Sequence, residues 1–349
     1  MPGDFSRKTF SKQKHYSGVL MQQGRVQLDA DWNEQLDIHQ YRILTEAKDL
    51  IGPSGVPKKD DGFRISVAQS GTDLIIAPGH MYVEGLLCES DIVPTTYRYQ
   101  PWYPDPDIAF FIGSPPSSPP SSPPSSPPAS PPAHVAINML DGTYVAYLEA
   151  WQREVNFHDD PRIQEVALGE ADTTTRLQTV WQVKLLKVAA AVNAAPTCKT
   201  AFAEWDSLIA PVTGKLNART SQDAAPPNPC LLPPSAGYQR LENQLYRVEI
   251  HKGGTRNEAT FKWSRDNASV ETIIEKVSGS VLTVTDIGKD EVLGFAIGQW
   301  VEIVDDASTL NNKPYDLAQI VQLTPGTREI ILSVSAVQHQ NKQHLKLRR

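Results

Sequence analysis

The chain has 349 residues, long enough for two or three domains with their own cores at roughly 100 to 200 residues each. Its formal charge of -7 excludes a generally basic surface of the kind that binds nucleic acid by displacing counterions from phosphates, while leaving room for a local basic patch. No apolar run approaches the ~18 residues of a membrane span, and no signal-peptide pattern follows Arg7, Lys8, Lys12 and Lys14, so synthesis in the cytoplasm without a direct membrane span is expected.

The N-terminal strings Phe5-Ser-Arg-Lys-Thr-Phe10 and Tyr16-Ser-Gly-Val-Leu-Met21 carry spaced aromatic and apolar residues without a helical period. They read as a basic, aromatic arm, either a strand on the chain's own sheet or one lent to a neighbour. A helix is predicted from about Asp31 to Ile51. Trp32, Leu36, Ile43, Ala47 and Leu50 recur at steps of four, seven, four and three and share one stripe, Asp29 or Asp31 can cap the start, and Gly52-Pro53 stops the helix. Phe5 to Leu28 are the expected docking arm, with Phe5, Phe10, Tyr16 and Leu20 making its contacts and Trp32 and Leu36 anchoring the helix at its root.

From Phe63 the pattern changes to short β runs. Phe63–Val67 alternates, Gly71-Thr-Asp73 supplies a turn, Leu74–Ala77 returns, and Met81–Val83 and Leu86–Cys88 continue as hairpins. The Pro-Pro-Ser-Ser repeat from Ser114 to Ala133 forms neither helix nor sheet, since proline lacks the amide hydrogen and fixes φ; at about 3.1 Å per residue it extends up to ~60 Å. It sits between Ile108–Ile112 and Val135–Met139 and reads as a solvated spacer in a surface loop, with a ligand for a proline-recognition domain as the other reading.

Tyr144–Trp151 is apolar on both faces, as in a strand covered on two sides, and Thr179–Leu185 alternates with Trp181, Val183 and Leu185 inward and Gln182 and Lys184 outward. Together they read as the middle of a sheet. Residues 189–234 read as loop apart from a short helix near Phe202 to Ile209. Leu245–Ile250 and Ala259–Trp263 form a second hairpin around Gly253-Gly254 and Asn257. Val281–Val284, Trp300–Val304, Ala318–Leu323 and Ile330–Val334, separated by turn residues, suggest a small barrel or sandwich. The closing Leu345-Lys-Leu-Arg-Arg349 reads as the interior of a strand, compatible with a longer natural chain.

Candidate chemistry is sparse. His158-Asp-Asp160, with Glu154 and Glu165 nearby, has the residue types of a metal or acid–base site, but no further ligand lies at ligand spacing and the string reads as a polar turn leading into Pro161. His80 and His251 are isolated. Cys88, Cys198 and Cys230 lack Cys-x-x-Cys spacing and read as reduced thiols. No nucleophile elbow or phosphate loop occurs. Trp263-Ser-Arg-Asp-Asn267 reads as a turn, its alternative being a recognition pair of Arg265 and Asp266 for a carboxylate or sugar. Of the seven tryptophans four fall in predicted strands, where core packing explains them.

Several strings together resemble a family of phage-tail-like proteins encoded with extracellular contractile injection systems: Lys14–Gln35, Glu165–Gly169 with Thr173–Val183, Leu241–His251, and Ala259–Asn267. The Pro/Ser insertion, and Asn257 where relatives would carry glycine, depart from it. The resemblance implies a structural part of such a particle, at its baseplate or in an accessory layer, with other particle subunits as partners. No catalytic residue, cofactor or metal carries over.

The reading is therefore a mainly β (α+β) protein: an N-terminal arm and helix over 1–57, a central antiparallel β domain over 58–275 bearing the insertion at 114–133, and a small C-terminal β-barrel over 276–349. It packs as a homo-oligomer within a symmetric particle that is released or membrane-docked. The alternatives are a receptor- or carbohydrate-binding module, marked by exposed aromatics clustered on the C-terminal domain, and a metal-dependent hydrolase or lyase around His158.

Overall fold

The computed structural model describes residues 2–59, 61–68, 73–91, 95–102, 143–189, 196–197, 200–217, 245–310, 315–342 and 344–349. The Pro/Ser insertion at 114–133 with its flanks 108–112 and 135–139, the turn residues Gly71 and Thr72, Cys198, Cys230 and much of 189–234 lie outside these residues.

The protein is mainly β, with antiparallel sheets and a closed six-stranded barrel. Helix α1 (Asp29–Ile51) starts two residues before the expected Asp31 and stops at Gly52, whose φ of 94° lets its N–H reach the Lys48 carbonyl. The N-cap position falls to Leu28 without a side-chain cap, because the Asp29 carboxylate is engaged elsewhere. Six short strands follow: β1 (Ser54–Gly55), β2 (Ile65–Val67), β3 (Leu74–Ile76), β4 (Gly79–Val83), β5 (Leu86–Ser90) and β6 (Thr95–Thr96). They form two sheets ordered β1-β4-β5 and β2-β3-β6. The β4–β5 turn, with positive φ at Glu84 and Gly85, lies so close to α1 that a Cβ on Gly85 would sit 2.3 Å from the Leu44 carbonyl oxygen. An ion pair between Lys48 and Glu84 fastens the same contact.

Strands β7 (Thr143–Val155) and β8 (Arg176–Val188) pair antiparallel along their whole length. Among the described residues they are a two-stranded ribbon and not the middle of a larger sheet. One side of the ribbon lies on the small sheets, where Trp181 meets Phe63 edge-on at 4.8 Å and Val183 joins Ile76, Cys88 and Tyr97 in a shared core. Burial lifts the Cys88 thiol to about 11, so it stays a neutral thiol at physiological pH. Gln182, expected to face outward, is wholly buried and donates 2.7 Å to the Leu310 carbonyl and a second bond to that of Trp102. Alternation placed it opposite Trp181 correctly; a second layer covers that side.

After α2 (Ala203–Leu208), the hairpin of β9 (Arg247–Lys252) and β10 (Thr260–Ser264) leads into the barrel: β11 (Glu271–Ser278), β12 (Val281–Val284), β13 (Trp300–Val304), α3 (Asp306–Leu310), β14 (Asp316–Thr324), β15 (Glu329–Leu332) and β16 (Lys346–Arg348). Strand order is β11-β12-β15-β14-β13-β16, antiparallel throughout and closed by β11 on β16. The barrel thus takes in residues 271–275, which the sequence pattern leaves in the central domain. Its core holds Leu282, Val284, Ile303, Ile320, Ile330 and Leu347. Closure leaves no barrel edge open to pair with another chain.

The hairpin docks on the barrel through charge. Arg247 bonds Glu249 (2.7 Å), Glu249 pairs with Lys262 (3.2 Å), Lys262 pairs with Glu302 of β13, and Glu302 accepts two bonds from Arg348 of β16 at 2.8 and 3.1 Å. Signs alternate along the ladder, and the ring of Tyr315 lies beneath both Lys262 and Arg348 at 5.2 and 4.9 Å. Burial alone would raise the Glu302 carboxyl, but Arg348 and Lys262 outweigh it and hold it below its ordinary value.

Replacing Glu302 by Gln takes from buried Arg348 its carboxylate in the ladder and leaves Lys262 with Glu249 alone. The expected cost is about 3 kcal/mol in urea unfolding. Replacing all three charges together (Lys262→Met, Glu302→Leu, Arg348→Met) should recover most of it; equal losses for the single and triple variants would show that the ladder is not a coupled unit.

Candidate functional site

The N-terminal arm first runs along its own chain. Gly3 donates to the Asn267 carbonyl (3.1 Å) and accepts from the Asn267 amide (2.9 Å), so the arm is pinned to the turn between β10 and β11. Asn267 takes φ of 49° there. Ser6 donates its N–H and hydroxyl to the Asp29 carboxylate at 3.0 and 2.9 Å, which holds that carboxyl below its ordinary value. Thr9 bonds Glu34, and the ring of Phe10 lies 5.7 Å from that of Tyr41. Farther on, Val19 N–H reaches Gln35 at 2.6 Å.

The six residues expected to make partner contacts therefore divide. Phe5 and Phe10 are half-buried on the chain itself, whereas Tyr16, Leu20, Trp32 and Leu36 are exposed, Leu20 at 91%. The helical stripe is real, but it faces away from the core. Trp32, Leu36, Ile43 and Leu50 are 57%, 51%, 64% and 79% exposed, while the helix buries Ala30 and Ile38. Steps of four, seven and seven at 3.6 residues per turn keep the four apolar side chains within about 40° of one another. They make an apolar ridge along α1 whose first two members, Trp32 and Leu36, also border a cleft toward the barrel; on the arm, Leu20 and Val26 (81% exposed) are bare as well. The period identifies which residues share a face; it carries no information on whether that face is covered.

Behind the arm lies a cleft of about 900 Å³ whose walls come from the arm, α1, the end of the ribbon and the barrel. Here the His158-Asp-Asp160 string resolves into three separate roles. His158 Nε2 is 3.2 Å from the Glu271 carbonyl, Asp159 pairs with Lys346 at 2.9 Å, and Asp160 pairs with Arg162 at 2.8 Å and caps a turn of 3-10 helix from Pro161. Lys346 also binds Glu271 at 2.9 Å, and Asn156 bonds the same carboxylate at 3.0 Å. The string is the joint between ribbon and barrel. Burial disfavours the charged Lys346, yet Glu271 and Asp159 more than compensate and raise it above its ordinary value; burial lowers His158.

Glu154, which the sequence offers only as a neighbour of the His158 string, has a place of its own. Its Oε1 is buried without a hydrogen-bond partner, and a Cβ on Gly3 would lie 2.6 Å from it, so the arm crosses directly above. Burial lifts its carboxyl to about 7, a bond from Thr175 opposes the shift, and Glu271 reinforces it. Asp172 on the same cleft is raised by burial as well. The arm had no visible tie to residue 154 in sequence, so no local signal pointed there.

Fold and surface together define a mainly β protein with an exposed apolar stripe along α1 and exposed apolar residues on its arm. By sequence comparison the chain belongs to a family of unknown function, DUF6519, whose model matches residues 1–116, 132–225 and 207–344. No curated protein and no solved structure matches it.

Glu154 makes the arm's seat sensitive to pH. Its folded value, about 7, lies above the ordinary 4.5, so this contribution to stability is full below about 4.5 and is lost as pH rises through 7. Glu154→Gln keeps the shape without the charge. Its melting temperature should exceed the parent's by a margin that widens from pH 5 to pH 8 and levels off beyond. A margin independent of pH would exclude this role.

Proposed function

We propose that the chain is a structural subunit of a phage-tail-like contractile injection particle, at the baseplate or in an accessory layer, acting by packing against other subunits and copies of itself and not by catalysis. The observation that carries this reading is the ridge. A 23-residue helix is about 34 Å long, and four large apolar side chains along it face solvent in one line. Such a surface on an isolated chain is the mark of an interface.

Charge favours partners of the same kind. Residues 1–28 carry Arg7, Lys8, Lys12, Lys14 and Arg25 against Asp4, a net of +4, whereas α1 has six carboxylates and two cations, a net of -4. The arm already lies on its own helix, and the charge that both leave on their outer sides would orient a second copy head to tail, in a contact that closes into a ring when the rotation permits. The resemblance of Lys14–Gln35 to phage-tail-like relatives covers this same arm and helix root. Among the described residues no helix is long and apolar enough to cross a membrane.

Two charged pairs test the ridge, Leu20→Glu with Val26→Glu on the arm and Ile43→Glu with Leu50→Glu on the helix. Since all four side chains are exposed, unfolding free energy should change by less than about 1 kcal/mol. Sedimentation should show loss of self-association, and images of intact particles should lack the density that the parent contributes. Normal incorporation of both variants would refute the ridge as the packing surface.

A further inference from the structure

The β9–β10 hairpin has its polarity reversed. An antiparallel sheet with one packed face ordinarily turns apolar side chains inward and polar ones to water. Here the charged Glu249 and Lys262 face the barrel, and the opposite side carries Tyr246, Val248, Ile250, Phe261 and Trp263. All five are exposed, Phe261 and Trp263 both at 62%. Trp263 opposes Val248 and Phe261 opposes Ile250 across the strands, while the Tyr246 ring stacks on that of Trp263 at 6.4 Å, so the five make one continuous surface. Trp263, and Trp300 at 59% on barrel strand β13, do not pack in a core as the sequence suggests. Among the described residues the hairpin is a sheet of two strands, and the stretch 211–217 meets its apolar side at the margin, where a Cβ on Gly214 would lie 3.3 Å from Ile250 Cδ1.

A two-stranded sheet that is apolar on one side lacks the second layer that such a face requires. Three properties of this face select a copy of itself as that layer. Its five residues carry no charge, so two such faces meet without the repulsion that a charged patch meets across a two-fold axis. Its mixture of rings and branched aliphatic side chains is that of the centre of a protein interface, whereas a sugar platform needs placed polar groups beside its rings. Its area is also sufficient. At about 150–250 Å² per aromatic side chain, the exposed parts of the three rings give about 350 Å², the two aliphatic residues bring the face to about 500 Å², and two copies together bury about 1,000 Å², the threshold of a specific contact.

We propose that the hairpin face is a two-fold contact between two copies of this chain. The two hairpins stack face to face as a four-stranded sandwich, with their sheets about 10 Å apart. This deepens the reading of self-packing given above, on which it rests for its partner, but it uses a surface separate from α1. At the threshold area the contact is weak on its own, and it becomes effective where copies are already held close, as in a ring built through the ridge.

The test is analytical ultracentrifugation of the full chain carrying Ile43→Glu and Leu50→Glu, which removes the ridge contact, at about 5 and 200 μM. Monomer at the lower concentration and dimer at the higher are expected. Adding Trp263→Glu or Val248→Lys, both at exposed positions, should leave the melting temperature unchanged and raise the dissociation constant of the dimer by about tenfold or more. A mixture of the Trp263→Glu and Trp263→Lys chains brings opposite charges into the contact and should dimerise about tenfold more tightly than either chain alone. Monomer at the higher concentration, dimerisation unchanged by both single variants, or a mixture no tighter than its components would each overturn the proposal. Incorporation of the ridge variants into particles is a separate readout, so failure of one surface is distinguishable from failure of the other.

Discussion

Strand β16 is the constraint on which the architecture depends. Its backbone bridges β11 and β13 and so closes the barrel, while Leu347 points into the core with no exposure. The residues around Leu347 reach outward to three other parts of the chain. Lys346 holds the ribbon turn through Asp159, Arg348 holds the hairpin through Glu302 and Lys262, and Arg349 holds Asp266 at 2.6 Å in the turn that also binds Gly3 of the arm. Each tie is a charge drawn out of water. Such pairs add little net stability against apolar equivalents, but they are strongly unfavourable when mismatched, so they select one arrangement of the parts over others.

The polarity of the hairpin follows from that selection. Side chains alternate along a strand with period two, so fixing one residue's direction fixes its neighbours. Once Lys262 is committed to Glu249 and Glu302, Phe261 and Trp263 must face the other way, and on β9 the same holds for Val248 and Ile250 opposite Glu249. The aromatic surface is thus a consequence of the ladder, with no separate force needed to expose it.

This explains how far the fold was legible. The mainly β class, the bounds of α1 to within two residues, the short helix near residue 203 and four barrel strands all rest on local period and turn chemistry, which the sequence displays. Strand β11 escaped notice because Glu271, Glu275 and Lys276 interrupt the apolar Ile274 and Val277, and their partners, Lys346 and Arg328, are far along the chain. Direction was the harder question. For α1, for Gln182 and for the hairpin, the pattern sorted residues into faces correctly, while inside and outside depended on contacts with no sequence proximity. The exposed ridge could not be read for the same reason, although its residues were named.

The two outward surfaces ask different things of whatever covers them. The α1 ridge is aliphatic apart from Trp32; a complementary apolar surface suits it, and register must come from the charges alongside, basic on the arm and acidic on the helix. Long-range charge of this kind orients large partners and tolerates some sliding, which suits a repeating contact between copies. The hairpin instead turns flat aromatic rings outward, Phe261 and Trp263 with Tyr246 stacked on the latter. The ridge therefore offers many equivalent apolar contacts, whereas the hairpin offers a few flat ones whose direction the charged ties at β16 fix.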